Sequence, residues 1–404
     1  LNILYLPKNP DATAYFRIDL PLRAMAAAGH EVRSRFLEQI KNVPNSGVRE
    51  EDVSWADVIV VQRAVSERAL GVVRQIKATY PQKAVIGDYD DDYAAVPTWN
   101  PGHRFVAANS DRWRAILREM DGVTVSTDPL AAAIENEFEG PVEVVPNGLD
   151  FSEFDELPMP PPFPLSAVRL GKDGKLENVY PISSEQFNEL MRDRVVVAWA
   201  GSRFHFADLD LLASDIPTIM RRHPEVVLLF AGYLQANVLR GAELSRIFAF
   251  PGRFPTTAYH AALRSLKMDI MLAPLAVVDP NDPSDDRTLR FNSAKSGLKI
   301  LEAMALGAYP VCSKLDPYQD DLDEDERDFD PFAHVPRHGR LVPYRRGAWA
   351  EAIGAAVELV SDPVRQAIFR RENAEYVRAR HTIATRAPLY EDFYTKVLEA
   401  KRHA

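Results

Sequence analysis

The stretch Arg290–Val311, Arg-Phe-Asn-Ser-Ala-Lys-Ser-Gly-Leu-Lys-Ile-Leu-Glu-Ala-Met-Ala-Leu-Gly-Ala-Tyr-Pro-Val, decides how this chain is read. A polar, basic lead-in passes into a helix expected to begin near Ser296. Helix formers fill Leu298 to Leu306, Gly307 suits the left-handed position that closes a helix, and Pro310 stops the helix from continuing. Lys295, Lys299 and Glu302 stand at i, i+4 and i+7, so they are expected on one face of its N-terminal half, where unpaired backbone N–H groups already favour anions. Lysine together with the helix dipole suits a diphosphate, and a carboxylate one turn on suits a pair of sugar hydroxyls. The plain alternative is a solvated face carrying a Lys–Glu pair at i, i+3.

Around this stretch the composition is that of a soluble globular protein. At 404 residues the chain is long for a single core, and the prior of about 100 to 200 residues per domain predicts two. An apolar fraction of 46% and a charged fraction of 26% are ordinary. The net charge of −10 argues against a broadly basic nucleic-acid surface. Much of the acid lies in Asp320 to Asp330, read as an exposed, solvated loop. Cys312 is the only cysteine, which excludes an internal disulfide and points to a reducing, cytoplasmic setting; its reading is a buried structural thiol. No apolar run approaches the ~20 residues of a membrane span, and no signal peptide is legible.

The first half alternates strand-like and helix-like segments. Asn2 to Leu6 reads as a strand, Phe16 to Ala28 as a helix and His30 to Phe36 as the next strand, the opening of a doubly wound sheet. The loop Pro7 to Tyr15 sits where such sheets bind ligands but lacks a Gly-x-Gly-x-x-Gly fingerprint. Further on, the strand Ala84 to Gly87 runs straight into Asp88-Tyr89-Asp90-Asp91-Asp92-Tyr93. Carboxylates crowded at a strand end raise one another's pKa, so a cation, a base role or open solvent must relieve them. Three readings follow: an Asp-x-Asp metal site with Asp88 and Asp90 as ligand candidates, a carboxylate at the reaction centre drawn from Asp90, Asp91 and Asp92, or an exposed acidic turn. Tyr15, Arg17 and Trp99 are candidates for lining an acceptor cleft, with local packing as the alternative for the two aromatics.

Leu157 to Pro164 holds five prolines in eight residues, and a polar stretch continues to about Arg194. The expected organisation is therefore a first domain over 1–155, a linker or insertion over 156–194, a second domain over 195–380 and a terminal helix over 381–404. The second domain opens with the strand Val195 to Ala200, ending at Gly201-Ser202-Arg203-Phe204-His205. A Gly-Ser turn after a buried strand lets a phosphate approach the backbone, and Arg203 can grip it with two N–H groups. Tyr390, Phe393, Tyr394 and Leu398 form an aromatic stripe at helical spacing, read as packing.

Several of these segments together resemble the nucleotide-sugar-binding half of retaining GT-B fold glycosyltransferases of the Glu-x7-Glu type. The carriers are Gly201-Ser202-Arg203 after its strand, Phe230-Ala231-Gly232, Asp269 to Leu275, Lys299 to Gly307, Pro310-Val311 and the turn Pro146-Asn147-Gly148-Leu149-Asp150. The matches span most of residues 140 to 320. The resemblance implies an α/β protein of two Rossmann-like domains facing a central cleft, with donor in the second and acceptor in the first. The terminal helix would pack back towards the first domain.

The activity so implied is transfer of a sugar from a nucleoside diphosphate donor, a UDP-sugar, to a hydroxyl acceptor with retention, without a required metal. Glu302 resembles the carboxylate that holds the donor ribose, while Arg203, Lys299 and Lys295 resemble the diphosphate grip. Gly201, Ser202, His205, Ser296 and Leu298 flank that grip, and Gly252 and Arg253 would meet the base. The pattern's first Glu would fall at position 294, where this chain has Ala294. An Asn-x-x-Lys-Ser lead-in like Asn292 to Ser296 occurs in an offshoot of the group from phage or bacteria. The acceptor classes considered are a saccharide and a hydroxymethylated DNA base. The alternatives are a sugar-nucleotide epimerase and a nucleotide-sugar-binding protein that has lost its chemistry.

Overall fold

The computed structural model describes residues 1–38, 47–156, 163, 165–171, 176–250, 256–280, 282–322, 329–330, 335–336 and 338–403. The chain divides into two units. The first comprises Leu1–Asp150, Ser293–Ser296 and His381–Ala404, and the second Phe151–Asn292 and Gly297–Arg380.

The first unit is built on six parallel strands, β1 (Asn2–Leu6), β2 (Glu31–Ser34), β3 (Val58–Gln62), β4 (Ala84–Tyr89), β5 (Gly122–Val125) and β6 (Val142–Val144), in the order β2-β1-β3-β4-β5-β6. Alternate residues Ile3 and Tyr5, Val58 and Val60, and Ala84 and Ile86 point to one face, as the two-residue period of a strand requires. That face is covered by the terminal helix Ala387–His403 through Tyr390, Phe393, Tyr394, Val397 and Leu398. The aromatic stripe is thus core, each large side chain contributing about 1.5–3 kcal/mol on burial.

Between β1 and β2 the chain departs from the expected single helix. A turn of α-helix (Ala12–Ala14) leads into a π-helical segment, Tyr15–Asp19, before regular helix resumes at Leu20–Ala27. The wider turn buries four successive residues, Tyr15, Phe16, Arg17 and Ile18, which the narrower stripe of a regular helix would not do. Arg17 is 1% exposed and faces the carboxyl ends of the strands. Its Nε and Nη2 donate to the two oxygens of Asp88 at 3.2 and 2.6 Å, and Nη1 donates to Val145 O at 2.6 Å and Asn147 Oδ1 at 3.3 Å. Thr124 Oγ1 adds a bond to Asp88 Oδ2 at 2.8 Å. Arg17 was expected at an acceptor; it is instead an internal tie between the π-helical segment and the ends of three strands.

The second unit carries eight strands: β7 (Leu165–Leu170), β8 (Leu176–Ile182), β9 (Val195–Gly201), β10 (Val226–Gly232), β11 (Ile247–Phe250), β12 (Ile270–Ala273), β13 (Tyr309–Ser313) and β16 (Arg340–Val342). The short β14 (Phe329–Asp330) and β15 (Val335–Pro336) form a separate pair. The sheet order is β16-β13-β12-β9-β10-β11-β7-β8, parallel from β16 to β11. Strand β9 is apolar throughout because both faces are covered: Val195, Val197 and Trp199 enter one core, Val196, Ala198 and Ala200 the other.

The polar stretch expected as linker or insertion over 156–194 supplies structure of its own. Its described residues form the antiparallel hairpin β7–β8 that extends this sheet, then a helix, Ser184–Leu190, closed by a Ser183–Gln186 capping box. The polar face of an edge hairpin reads in sequence like a linker. The basic lead-in of the deciding stretch is also helical, over Arg287–Ser293, with Asp285 Oδ1 accepting from Arg287 N at 3.0 Å at its start.

The buried ion pair of the first unit generates a stability prediction. Removing one partner of such a pair leaves an uncompensated charge and costs about 3–5 kcal/mol. Arg17→Met is expected to destabilise the chain by about that amount, read as a shift of the urea unfolding transition. Arg17→Lys, lacking the two-pronged guanidinium, is expected to recover only part. An unfolding curve for Arg17→Met that overlays the parent's would contradict this role.

Candidate functional site

In open parallel sheets, ligands bind beyond the carboxyl ends of the strands where the strand order reverses. The second unit reverses between β9 and β12, each the parallel neighbour of the other, with β10 and β13 on their outer sides. The chain leaving β9 is Gly201-Ser202-Arg203, the turn singled out in sequence. Ser202 starts a 3-10 turn over Arg203–His205, its Oγ accepting from Phe204 N at 3.3 Å. Gly232, at the end of β10, has φ +112, and a Cβ there would sit 2.2 Å from Gly201 O, so the two strand ends can close only with glycine at that position.

Arg203 is exposed, its guanidinium 5.7 Å from the Phe204 ring centre. His205 is held from behind: its Nδ1 bonds Asp208 Oδ2 at 2.8 Å. Asp208 is fully buried and its other oxygen accepts from Ala276 N at 2.7 Å and Asn292 Nδ2 at 3.0 Å. A carboxylate with this many donors is fixed in place. The same network anchors the backbone that leaves β12.

The deciding helix covers Leu298–Ala305 behind Gly297 at its N-cap, where no side chain caps the first N–H groups, and it closes at Gly307 with φ +74. Leu298, half-buried, is its first residue. Lys299 donates from Nζ to Ala200 O at 2.6 Å, which sets its ammonium at the end of β9 beside the Gly201 turn. Glu302 is buried, and His260 Nε2 donates to its Oε1 at 2.6 Å. His260 comes from the helix Thr256–Arg264, 42 residues away in sequence, and no local pattern announces it.

One expectation is corrected. The helix starts three residues after Lys295, so Lys295, Lys299 and Glu302 do not form one helical face. Lys295 and Ser296 belong to the first unit, where Lys295 Nζ lies 3.5 Å from Asp91 and Ser296 Oγ accepts from Asn147 Nδ2 at 2.8 Å. Ala294, at the position of the pattern's first Glu, is also placed there, its carbonyl accepting from Thr127 Oγ1 at 2.8 Å. Gly252 and Arg253 lie outside the described residues.

The first unit's sheet reverses between β1 and β3. Here Lys8 follows β1, Arg63 follows β3 and the aspartates follow β4. Arg63 has φ +51, an uncommon left-handed backbone for a non-glycine residue, and Nε donates to Tyr93 OH at 2.8 Å. Its guanidinium also lies 3.4 Å from Asp90, 3.8 Å from Asp91 and 3.7 Å from Asp11. Burial works against its charge, but Tyr93, Asp90 and Asp91 hold its pKa well above the ordinary value. Burial lowers the pKa of Lys8, Arg63 adds to the fall, and its ammonium lies 4.8 Å from the Phe105 ring.

The crowded carboxylates are therefore relieved by two arginines rather than left to solvent. Asp88, a metal candidate in sequence, has both oxygens engaged by Arg17 and Thr124. Asp92 is buried and its Oδ1 accepts from Ala94 N at 2.9 Å and Ala95 N at 3.2 Å, so it shapes a turn instead of facing a substrate. Among the described residues, no group of three or more His, Cys, Asp or Glu side chains is arranged to hold a metal ion. Tyr15 and Trp99, both expected at an acceptor, are 6% exposed and offer little surface.

Asp90 and Asp91 remain, with side chains 17% and 23% exposed. Burial pushes the Asp90 carboxyl up to about 6, against the pull of Arg63 and with a further rise from Asp91 and Asp88. A carboxyl raised in this way binds its proton more tightly when folded, so between its ordinary value and about 6 it weakens the fold as pH rises, the reverse of a salt-bridged aspartate. Raised carboxyls of this kind concentrate at functional sites.

No family model matches the chain, and no curated protein matches it in sequence. Solved structures do match over nearly its whole length. It is similar to HepE of Anabaena, crystallised with UDP and glucose, at 12% identity and a TM-score of 0.61 over 98% of this chain and 100% of that one. It is similar to a glycosyltransferase from Rickettsia africae at 9% identity and 0.61, over 98% of each chain. The catalytic domain of starch synthase IV from Arabidopsis thaliana, bound to ADP and acarbose, matches at 10% and 0.57, over 98% of this chain and 99% of that one. At such identities the likeness is one of architecture: the chain has the GT-B fold, α/β with two Rossmann-like domains.

Proposed function

We propose that this protein is a glycosyltransferase that moves a sugar from a nucleoside diphosphate sugar, a UDP-sugar, to a hydroxyl acceptor with retention of configuration. The observation that carries the reading is the second unit's strand reversal, where the Gly201–Arg203 turn and the Lys299 ammonium meet the end of β9. The HepE structure named above contains UDP, which makes uridine diphosphate the first donor nucleotide to test.

As the glycosidic bond to the donor breaks, negative charge develops on the departing diphosphate. Arg203 and Lys299 would meet that charge, and His205, whose Nδ1 is held by Asp208, would add a third donor beside the same turn in its doubly protonated form. The bond from Lys299 Nζ to Ala200 O fixes the ammonium at the end of β9, where it would face the phosphate oxygens. Glu302 would accept from the ribose hydroxyls. In the first unit, Asp90 would orient the acceptor hydroxyl and take up its proton, with Arg63 holding the carboxylate in place and the neighbouring Asp91 charge raising its proton affinity. The acceptor class proposed is a saccharide; a net charge of −10 disfavours a DNA polyanion. Metal is not needed in this scheme, and no described helix is long and apolar enough to cross a membrane.

Two kinetic predictions follow the division of roles. Lys299→Ala is expected to lower kcat by about 10²–10³-fold, the cost of one well-placed donor to a developing anion. Glu302→Ala is expected to raise the donor KM at least about tenfold, since a hydrogen bond to a charged group contributes about 1.5–3 kcal/mol and each 1.4 kcal/mol is about tenfold. Unchanged constants in both variants would refute the donor assignment. The rate is also expected to fall on acidification with an apparent pKa of about 6, as Asp90 takes its proton. In Asp90→Asn that limb should vanish along with most of the activity. An acid limb that persists in Asp90→Asn would place the titrating group elsewhere.

A further inference from the structure

Glu302 is held by a residue that the donor chemistry alone does not call for. His260 is 1% exposed, and its Nε2 donates to Glu302 Oε1 across two helices, Thr256–Arg264 and Leu298–Ala305. No other hydrogen bond to this carboxylate occurs among the described residues. The imidazole is itself backed by the Phe154 ring, 5.0 Å away between centroids and tilted by 32°. Phe154 sits on the helix Phe151–Glu156, whose backbone is fastened by Arg264 Nη1 donating to Phe154 O at 2.6 Å. Two charge-assisted bonds from Arg378 to Asp155, 2.8 and 2.6 Å long, secure the same helix.

This line of contacts has one geometric result. An unheld glutamate has three rotatable bonds and would lose their freedom on binding a ligand. Here one oxygen is anchored before the ligand arrives, and the second is left to accept from it. A carboxylate oxygen fixed in this way favours a ligand with hydroxyls at the matching place and penalises one that lacks them, because the buried acceptor would then go unmet.

We propose that His260 is a positioning residue for ribose recognition: by fixing Glu302, it makes the donor site discriminate a ribonucleotide from its 2′-deoxy counterpart. The inference rests on the reading of Glu302 as the ribose ligand and adds the group that gives it selectivity. A purely structural role for His260 would alter stability or the affinity for both nucleotides alike. A positioning role alters their ratio.

The test is calorimetric binding of UDP and 2′-deoxyuridine diphosphate to the full chain and to three variants. The parent is expected to prefer UDP by about tenfold or more. His260→Phe, which keeps ring volume without a donor, should reduce that preference to about twofold, and His260→Gln, which keeps a donor, should restore much of it. His260→Asn, too short to span the same distance, gives a second reading of the loss should the Phe variant fail to fold. Glu302→Ala is the control and should abolish the preference. A parent-like ratio in His260→Phe or His260→Asn, with the preference lost in Glu302→Ala, overturns the role of His260 while leaving Glu302 as the ribose ligand. A parent-like ratio in Glu302→Ala, or no preference in the parent, overturns both.

Discussion

The Arg17–Asp88 pair is the constraint from which the arrangement of the first unit's carboxylates follows. A guanidinium with almost no exposure must satisfy its N–H groups internally, and it does so on Asp88, Val145 O and Asn147. Those partners lie at or just beyond the ends of β4 and β6, and Thr124 of β5 reaches the same carboxylate. One arginine, delivered by a π-helical turn, therefore gathers the carboxyl edge of the sheet. Taking two ions out of water is costly, and the return is geometric definition of that edge. With Asp88 neutralised from within, the carboxylates that follow it are free to be arranged around Arg63, and Asp90 is left with a proton affinity near the range where acid–base chemistry operates.

The second unit uses the same device with different partners. His205 is backed by Asp208, Glu302 by His260, and Lys299 by the carbonyl of Ala200. These three polar groups near the reversal of the sheet are thus held by neighbours before any ligand is present. Preorganisation of this kind is what electrostatic stabilisation of a leaving anion requires, because donors that must first reorient give back much of their benefit. In the proposed reaction the sheet topology supplies the place, and these paired side chains would supply the chemistry.

Much of this was legible in sequence, and the parts that were not share a cause. The apolar run Val195 to Ala200 followed by Gly-Ser-Arg announces a buried strand that ends in a turn, and the structure has both. Helix formers from Leu298 and a closing Gly307 placed Lys299 and Glu302 on one short helix. Helical spacing, however, cannot show where a helix begins, and extending it back to Lys295 joined residues that the fold assigns to different units. The aspartates at the end of β4 were visible as a problem of like charges. Their relief was not, because Arg17 reaches Asp88 across 71 residues and Arg63 approaches from another strand. His260 escaped notice for the same reason, since its partner lies on another helix. The stretch before Arg194 was legible only as a linker or insertion, because its prolines and polar residues hide the strand pattern of the β7–β8 hairpin.

The central claim is transfer of a sugar from a nucleotide donor to an acceptor hydroxyl, and mass spectrometry of a donor–acceptor reaction addresses it most directly. With UDP-glucose and a panel of saccharide acceptors, the account predicts an acceptor product heavier by one hexosyl residue together with an equal amount of released UDP. Donor that stays intact across the panel, or that is converted to an isomer with no acceptor present, would contradict it.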